Sequence, residues 1–387
     1  MSDVVIAGVG QIPVGEHWDV SLRSQAVRAV LAAIKDAGGL KPQAMYIGNL
    51  LAPTVSHQSN LGALLPDWSN LTGIEGITVE AAGASGGGAF RLGYLAVASG
   101  FVDVAVVVGV EKITDVVGPE LERAIAESTD YDYELTQGLT LTAQAGLVMQ
   151  LYLHQYKPPR EAFAAFPMLA HENAVGNPFA MYRKPISQKA YDGAPMVSEP
   201  VNLMDMAPYA DGAAAVVLTR RDLVPDSLSH LLVKVSGSSV ASDTLARHDR
   251  SDPLAFDAAR LSVEGACRQA GILPQDVDFF ELTDSFSIYA VLSLEAAGFA
   301  PRGEGWKLGL DGTLRRDGKL PILTMGGFKA RGNPLGAAGV YQIVEAALQL
   351  RGEAGSNQIP NARRALVQNL GGPASTAVAH VLERVNG

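Results

Sequence analysis

"VEAAGASGGGAFRLGYLAVASG", residues 79–100, decides how this chain is read. Val79 ends an apolar run that suits a strand, Ala82-Gly83-Ala84-Ser85-Gly86 makes a tight turn, and small residues then recur as a helix. An enzyme of this build places its nucleophile at such a turn, where the amides of a helix N-terminus face the reacting group. Here the turn carries Gly83, which has no side chain.

Working outward, the same pattern occurs twice. "VVIAGVG" (4–10) reads as a buried strand, residues 21–40 as an amphipathic helix capped by Ser21 and stopped by Gly38-Gly39, and "AMYIGNLLAP" as a second strand. "LLVKVSG" (231–237) opens a second series, with residues 257–273 as its helix, Asp257 its cap and Gly271 its stop, and "VDFFELTDSFS" its second strand. "DGAAAVVLTRRD" and "PASTAVAHVLERVN" close the two series alike. Strand–helix alternation predicts α/β layers with a largely parallel sheet. The expected organisation is one half from 1–114 and 206–225, an inserted loop or lid region at 115–205 rich in Pro, Tyr and charge, and a second half at 226–387.

Composition sets the bounds. A chain of 387 residues, 48% hydrophobic and 18% charged, suits a globular protein with much buried sheet. A formal charge of −10 argues against nucleic acid or an anionic membrane as partner, and no apolar run approaches the ~20 residues of a spanning helix. A lone cysteine, Cys267, leaves no internal disulfide. The seven histidines show no metal-ligand spacing, so neither metal nor resident cofactor is expected, and the location expected is cytoplasmic.

The motifs then carry a resemblance. "VEAAGASGGGAFRLGYLAVASG", "VVVGVEKITD", "HENAVGNPFAMYRKPIS", "MAPYADGAAAVVL", "ELTDSFS", "GGFKARGNPLGAAGVYQIVEAALQLRG" and "QNLGGPASTAVAHVL", in this order, resemble the thiolase superfamily over nearly the whole chain. The likeness is strongest to its sterol-carrier-type and archaeal acetyl-CoA acetyltransferase branch. It implies a thiolase fold: duplicated α/β halves in an αβαβα core with an inserted loop domain.

It also implies chemistry that these residues do not supply. Where family members write C-A-S-G, this chain has Gly83-Ala84-Ser85-Gly86; where they write G-H-P, it has Gly332-Asn333-Pro334; where this branch writes H-D-x-F, it has Thr283-Asp284-Ser285-Phe286. Glycine cannot attack a thioester, and an asparagine amide can donate a hydrogen bond but takes no proton near neutral pH. The resemblance therefore implies acyl-CoA binding through Ser85, Asn333, Gly332, Gly372 and Arg183, with the usual catalytic positions held by Gly83, Thr283 and Asn333.

Ser85 reads better as a helix-start hydroxyl than as a substitute nucleophile. Packing is the simpler role for Tyr289 and Tyr341, lid anchoring for His171, and securing a turn for Asp284. Arg183 and Lys184 are candidates for CoA phosphates, against a solvated surface pair. "GGFKARGNPLGAAG" lacks the G-K-[ST] ending of a nucleotide loop. The leading expectation is an acyl-CoA-binding protein without cysteine-dependent activity, as a homodimer or higher oligomer or as a subunit of a larger complex. The alternatives are a retro-aldolase for a β-hydroxyacyl-CoA with a zinc-ribbon/OB-fold acyl-CoA-binding partner, an acyltransferase with an atypical nucleophile, or a dimer scaffold.

Overall fold

A computed structural model describes residues 3–159 and 161–385. The first series runs β1 (Val4–Gln11), α1 (Leu22–Asp36), β2 (Ala44–Gly48), α2 (Leu61–Trp68), β3 (Glu75–Val79), α3 (Ser85–Ser99) and β4 (Val104–Glu111). An excursion follows through α4 (Pro119–Ala126), α5 (Leu141–Tyr156), α6 (Glu161–Ala174), α7 (Gln188–Asp192) and a small hairpin of β5 (Met196–Ser198) and β6 (Val201–Asn202). The chain then returns as β7 (Gly212–Arg220). The second series comprises β8 (Val233–Ser242), α8 (Asp257–Ala270), β9 (Phe279–Glu281), α9 (Ser287–Ala296), α10 (Lys307–Leu310), α11 (Ala338–Arg351), β10 (Arg364–Gly371) and β11 (Thr376–Arg384).

Nine strands join in the order β3-β2-β4-β7-β1-β8-β11-β10-β9. The order is close to a palindrome about the β1–β8 contact, which joins the series by Val5 opposite Lys234 and Ile6 opposite Val233. The expectation of a largely parallel sheet is corrected: β2–β3, β2–β4 and β9–β10 are parallel, and the other five pairings are antiparallel. In each series the last strand, β7 or β11, returns against its neighbours.

The layers follow from which faces are apolar. α1 and α2 cover the outer face of the first sheet half, and α8 covers β8 and β11. α3 and α11 each touch strands of both halves, so they form the middle layer. All eight residues of β4 are buried, as its VAVVVGVE run predicts for a strand covered on both faces. Ser21 caps α1 by accepting from Ser24 N. Asp257 is not the cap of α8: that place is Phe256, which offers no side-chain acceptor, and Asp257 pairs with Arg260 instead.

His380 lies wholly buried in β11, with Nδ1 3.1 Å from Ser238 Oγ and its ring edge-on to Phe90 at 4.7 Å. Burial, aided by the nearby Arg91 cation, pushes its pKa down to about 3. Its folded value is depressed, so its contribution to stability is present above the unfolded value of about 6.5 and is lost as pH falls toward 3. The slope is about 1.4 kcal/mol per pH unit. Urea unfolding at pH 7 and pH 5 should show His380→Gln losing less stability between those points than the natural protein. Equal losses would contradict this role.

Candidate active site

One small cavity opens where the strand ends of both series meet. Gly83, Thr283 and Asn333, far apart in sequence, all line it. The turn Ala82–Ala84 between β3 and α3 brings Gly83, the segment after β9 brings Thr283 and Ser285, and the loop before α11 brings Asn333. Leu370 arrives from the end of β10, Gly372 from the β10–β11 turn, Tyr209 from the approach to β7, and Ile125 and Ser128 from the end of α4. Leu50, Leu141, Met206, Phe286, Phe328 and Leu335 make much of the wall apolar.

Three of the polar wall groups have defined partners. Thr283 Oγ1 donates to Gln368 O and accepts from Leu370 N, both at 3.1 Å, so its hydroxyl is committed to β10. Asn333 Oδ1 accepts from Leu335 N at 3.1 Å, which leaves Nδ2 with no protein partner among the described residues. Tyr289 Oη accepts from Arg247 at 3.5 Å, with its ring edge-on between Phe256 and Phe286. No described lining residue carries a thiol, imidazole, carboxylate or amine.

The other candidates fall elsewhere. Ser85 is fully buried; its Oγ donates to Ala82 O at 2.6 Å and accepts from Ala81 N at 2.9 Å, so it braces the turn outside the cavity lining. Gly332 does not line the cavity either. Its φ of +105° and the closeness of Val14 to any Cβ, 2.6 Å, explain why glycine precedes Asn333. Arg183 is exposed on the loop after α6, whose Met181 and Tyr182 amides bond Arg331 O and Ala330 O. His171 Nδ1 bonds Lys184 O at 3.0 Å and its ring stacks on Tyr182, an anchoring arrangement. Tyr341 is buried in α11 and donates to Ile12 O. Burial pushes the Cys267 thiol up to about 11, so it is unreactive. Tyr209 lies inside a motif that the sequence reading used only for the resemblance, and Ser285 holds the variable place of the Thr283–Phe286 motif, to which no role was given.

Buried carboxylates hold the walls. Glu111, which burial pushes up to about 7, accepts from the amides of Leu50, Leu51 and Gly336, each at 3.0 Å. Asp284 accepts from Phe328 N at 2.6 Å; burial raises its pKa against the pull of Lys329. Lys329, itself pushed down to about 8 by burial, donates to Asp205 O.

Residues 4–222 match the thiolase N-terminal domain and residues 239–384 the thiolase C-terminal domain-like family. This chain belongs to the thiolase family. It is 41% identical to an acetyl-CoA acetyltransferase of Methanothermobacter thermautotrophicus, over 99% of this chain and 100% of that one. It is 31% identical to the benzoylsuccinyl-CoA thiolase subunit BbsB of Thauera aromatica, over 95% of this chain and 94% of that one. Among solved structures, the Ltp2-ChsH2(DUF35) aldolase superposes with a TM-score of 0.85 at 24% identity, covering 99% of this chain and 98% of that one. The thiolase fold expected from the motifs is thus the fold found. Among the described residues no helix is long and apolar enough to cross a membrane.

A thiolase cavity with glycine at the turn makes a direct prediction. A Cβ built on Gly83 would lie 2.8 Å from Leu370 O, a backbone atom that cannot step aside cheaply. Gly83→Cys should therefore cost about 1–3 kcal/mol of stability. Its thiol, with no imidazole or cation on the cavity wall, should be alkylated slowly at pH 7. Urea unfolding and iodoacetamide kinetics check both.

Proposed function

We propose that this chain binds acyl-CoA thioesters in the cavity and forms no cysteine-linked acyl-enzyme. The carrying observation is that Gly83, Thr283 and Asn333 line one cavity whose described walls offer hydrogen-bond donors but no thiolate and no base. Asn333 Nδ2 is the donor for the thioester carbonyl oxygen, and the apolar wall takes the acyl chain. Arg183 is our candidate for a CoA phosphate. Calorimetry tests the reading: acetyl-CoA should bind tighter than CoA, and absence of binding by either would overturn it.

A second reading has one observation in its favour. Two phenols, Tyr209 and Tyr289, line the cavity. Retro-aldol cleavage of a β-hydroxyacyl-CoA needs no acyl-enzyme, only a proton carrier for the hydroxyl and donors for the enolate. The superposed aldolase pairs a thiolase-fold chain with a DUF35 protein, and a zinc-ribbon/OB-fold partner of that kind is proposed here too. A second copy is the other partner proposed. β3 ends the sheet as an edge strand with Ile77 exposed, a surface suited to pairing with its own copy.

A further inference from the structure

We infer that the acyl group taken by this cavity ends in a carboxylate, received by the Tyr289 hydroxyl with the Arg247 guanidinium beside it; the substrate class is the CoA thioester of a dicarboxylic acid. The inference rests on the reading of the cavity as an acyl-CoA site. Tyr289, in the first turn of α9, lines the cavity, and so does Gly372. Arg247 touches both pieces of wall. Its Nη2 donates at 2.6 Å to the carbonyl of Pro373, the residue after Gly372, and lies 3.5 Å from Tyr289 Oη. Its Nη1 donates to Pro253 O at 3.0 Å, so the guanidinium is fixed in place.

The charges of this corner do not balance. Arg247 and Arg250 are each only 7% exposed, and the tight turn Arg247–Asp249 sets them side by side in the chain, with Arg250 N bonded to Arg247 O at 3.2 Å. A guanidinium keeps its charge at any ordinary pH, so both are buried cations. Among the described residues one carboxylate pairs with either of them: Asp243, 3.8 Å from Arg250 Nε. Asp249 pairs with His248 and Asp252 with Arg302. Glu134 is taken up by Arg247 N, Asp130 N and Gln144 Nε2. Arg247 Nε and both outer nitrogens of Arg250 are buried with no hydrogen-bond partner. Burying an uncompensated cation is costly, and an anionic group at the adjoining wall offsets that cost.

Tyr289 is the group through which the cavity meets these cations. Phe256 and Phe286 pack edge-on against its ring, so its oxygen is the polar point of this part of the wall. That oxygen faces a donor, Arg247, and its hydrogen has no acceptor among the described residues. The hydroxyl can therefore donate to a ligand, and the cation beside it strengthens the bond to an anion. A carboxylate fits both: one oxygen takes the phenol hydrogen and its charge answers the guanidinium. A carbonyl or an alcohol would satisfy the phenol and leave the cation unanswered. The described lining holds no acid to repel a carboxylate. Asn333 comes from another element, the loop before α11, so the thioester carbonyl and the far carboxylate have separate donors.

Calorimetry on the full chain tests this with succinyl-, glutaryl- and adipyl-CoA, each against the monocarboxylic thioester of equal carbon count: butyryl-, valeryl- or hexanoyl-CoA. At least one dicarboxylic thioester should bind about 10- to 100-fold tighter than its counterpart. Tyr289→Phe removes only the hydroxyl; it should abolish that preference and leave the affinities for the monocarboxylic thioester and for CoA as in the natural protein. Arg247→Gln should abolish the preference too, and Arg247→Lys, which restores the charge, should recover part of it. A natural protein that binds the monocarboxylic thioesters without preferring any dicarboxylic one overturns the inference. So does a folded Tyr289→Phe that keeps the preference. An equal loss of affinity for CoA itself in Tyr289→Phe also overturns it, since the corner would then serve the CoA phosphates. Failure to bind any acyl-CoA instead overturns the reading of the cavity.

Discussion

Asp211→Asn is expected to destabilise the fold by about 3–5 kcal/mol, the range for breaking one side of a buried charge pair. Asp211 is fully buried between the two polypeptide stretches that flank the site. Its Oδ1 accepts from Ile113 N at 2.7 Å and Thr114 N at 2.9 Å; its Oδ2 accepts from His17 N at 3.0 Å and Thr114 Oγ1 at 2.7 Å. Lys112 Nζ lies 3.1 Å from the same Oδ2. Burial alone would raise the Asp211 pKa, but the donors from Thr114, Ile113 and His17 outweigh it and hold the carboxyl below its ordinary value. An asparagine NH2 would face a pair of donors whichever way it turned, and Lys112 would keep only the more exposed Asp115. Chemical denaturation of the purified variant measures the loss. A cost under about 1 kcal/mol would mean that Asp211 does not organise this corner.

Asn333→Asp should weaken acetyl-CoA binding by about tenfold to a hundredfold, or roughly 1–3 kcal/mol. The substitution keeps the oxygen that accepts from Leu335 N and keeps the shape. It exchanges only the unpartnered Nδ2 donor for an anionic oxygen, which repels a thioester carbonyl. Affinity for CoA itself, which has no carbonyl at that place, should change much less. The contrast between the two ligands, measured by calorimetry, isolates the contact. Equal weakening of both would assign Asn333 a structural role instead.

The duplicated α/β plan was legible because the signals are local. Ser21 caps α1 as its sequence implies, and the two series of apolar strands become two mirrored sets about the β1–β8 contact. Strand direction was less legible from alternation alone. The short connection Gly372–Ser375 between β10 and β11 leaves room only for a hairpin, so antiparallel pairing there was available from spacing. The cap at Asp257 failed because the chain turns into α8 one residue earlier, at Phe256. At the site, Gly83, Thr283 and Asn333 were found through motifs and meet in space. Ser85 and Gly332 shape the backbone around the cavity rather than line it. Tyr209 was hidden because "MAPYADGAAAVVL" reads first as a strand, and nothing in spacing shows that its ring reaches a cavity also built from residues after 280.

We propose an acyl-CoA cavity without acyl-enzyme chemistry. Its most direct test is intact-protein mass spectrometry, with assay of free CoA thiol, after incubation with saturating acetyl-CoA. The expected result is bound acetyl-CoA that is lost on denaturation, a protein mass unchanged, and no CoA release above the uncatalysed rate. A protein heavier by one acetyl group, or stoichiometric release of CoA, would contradict it.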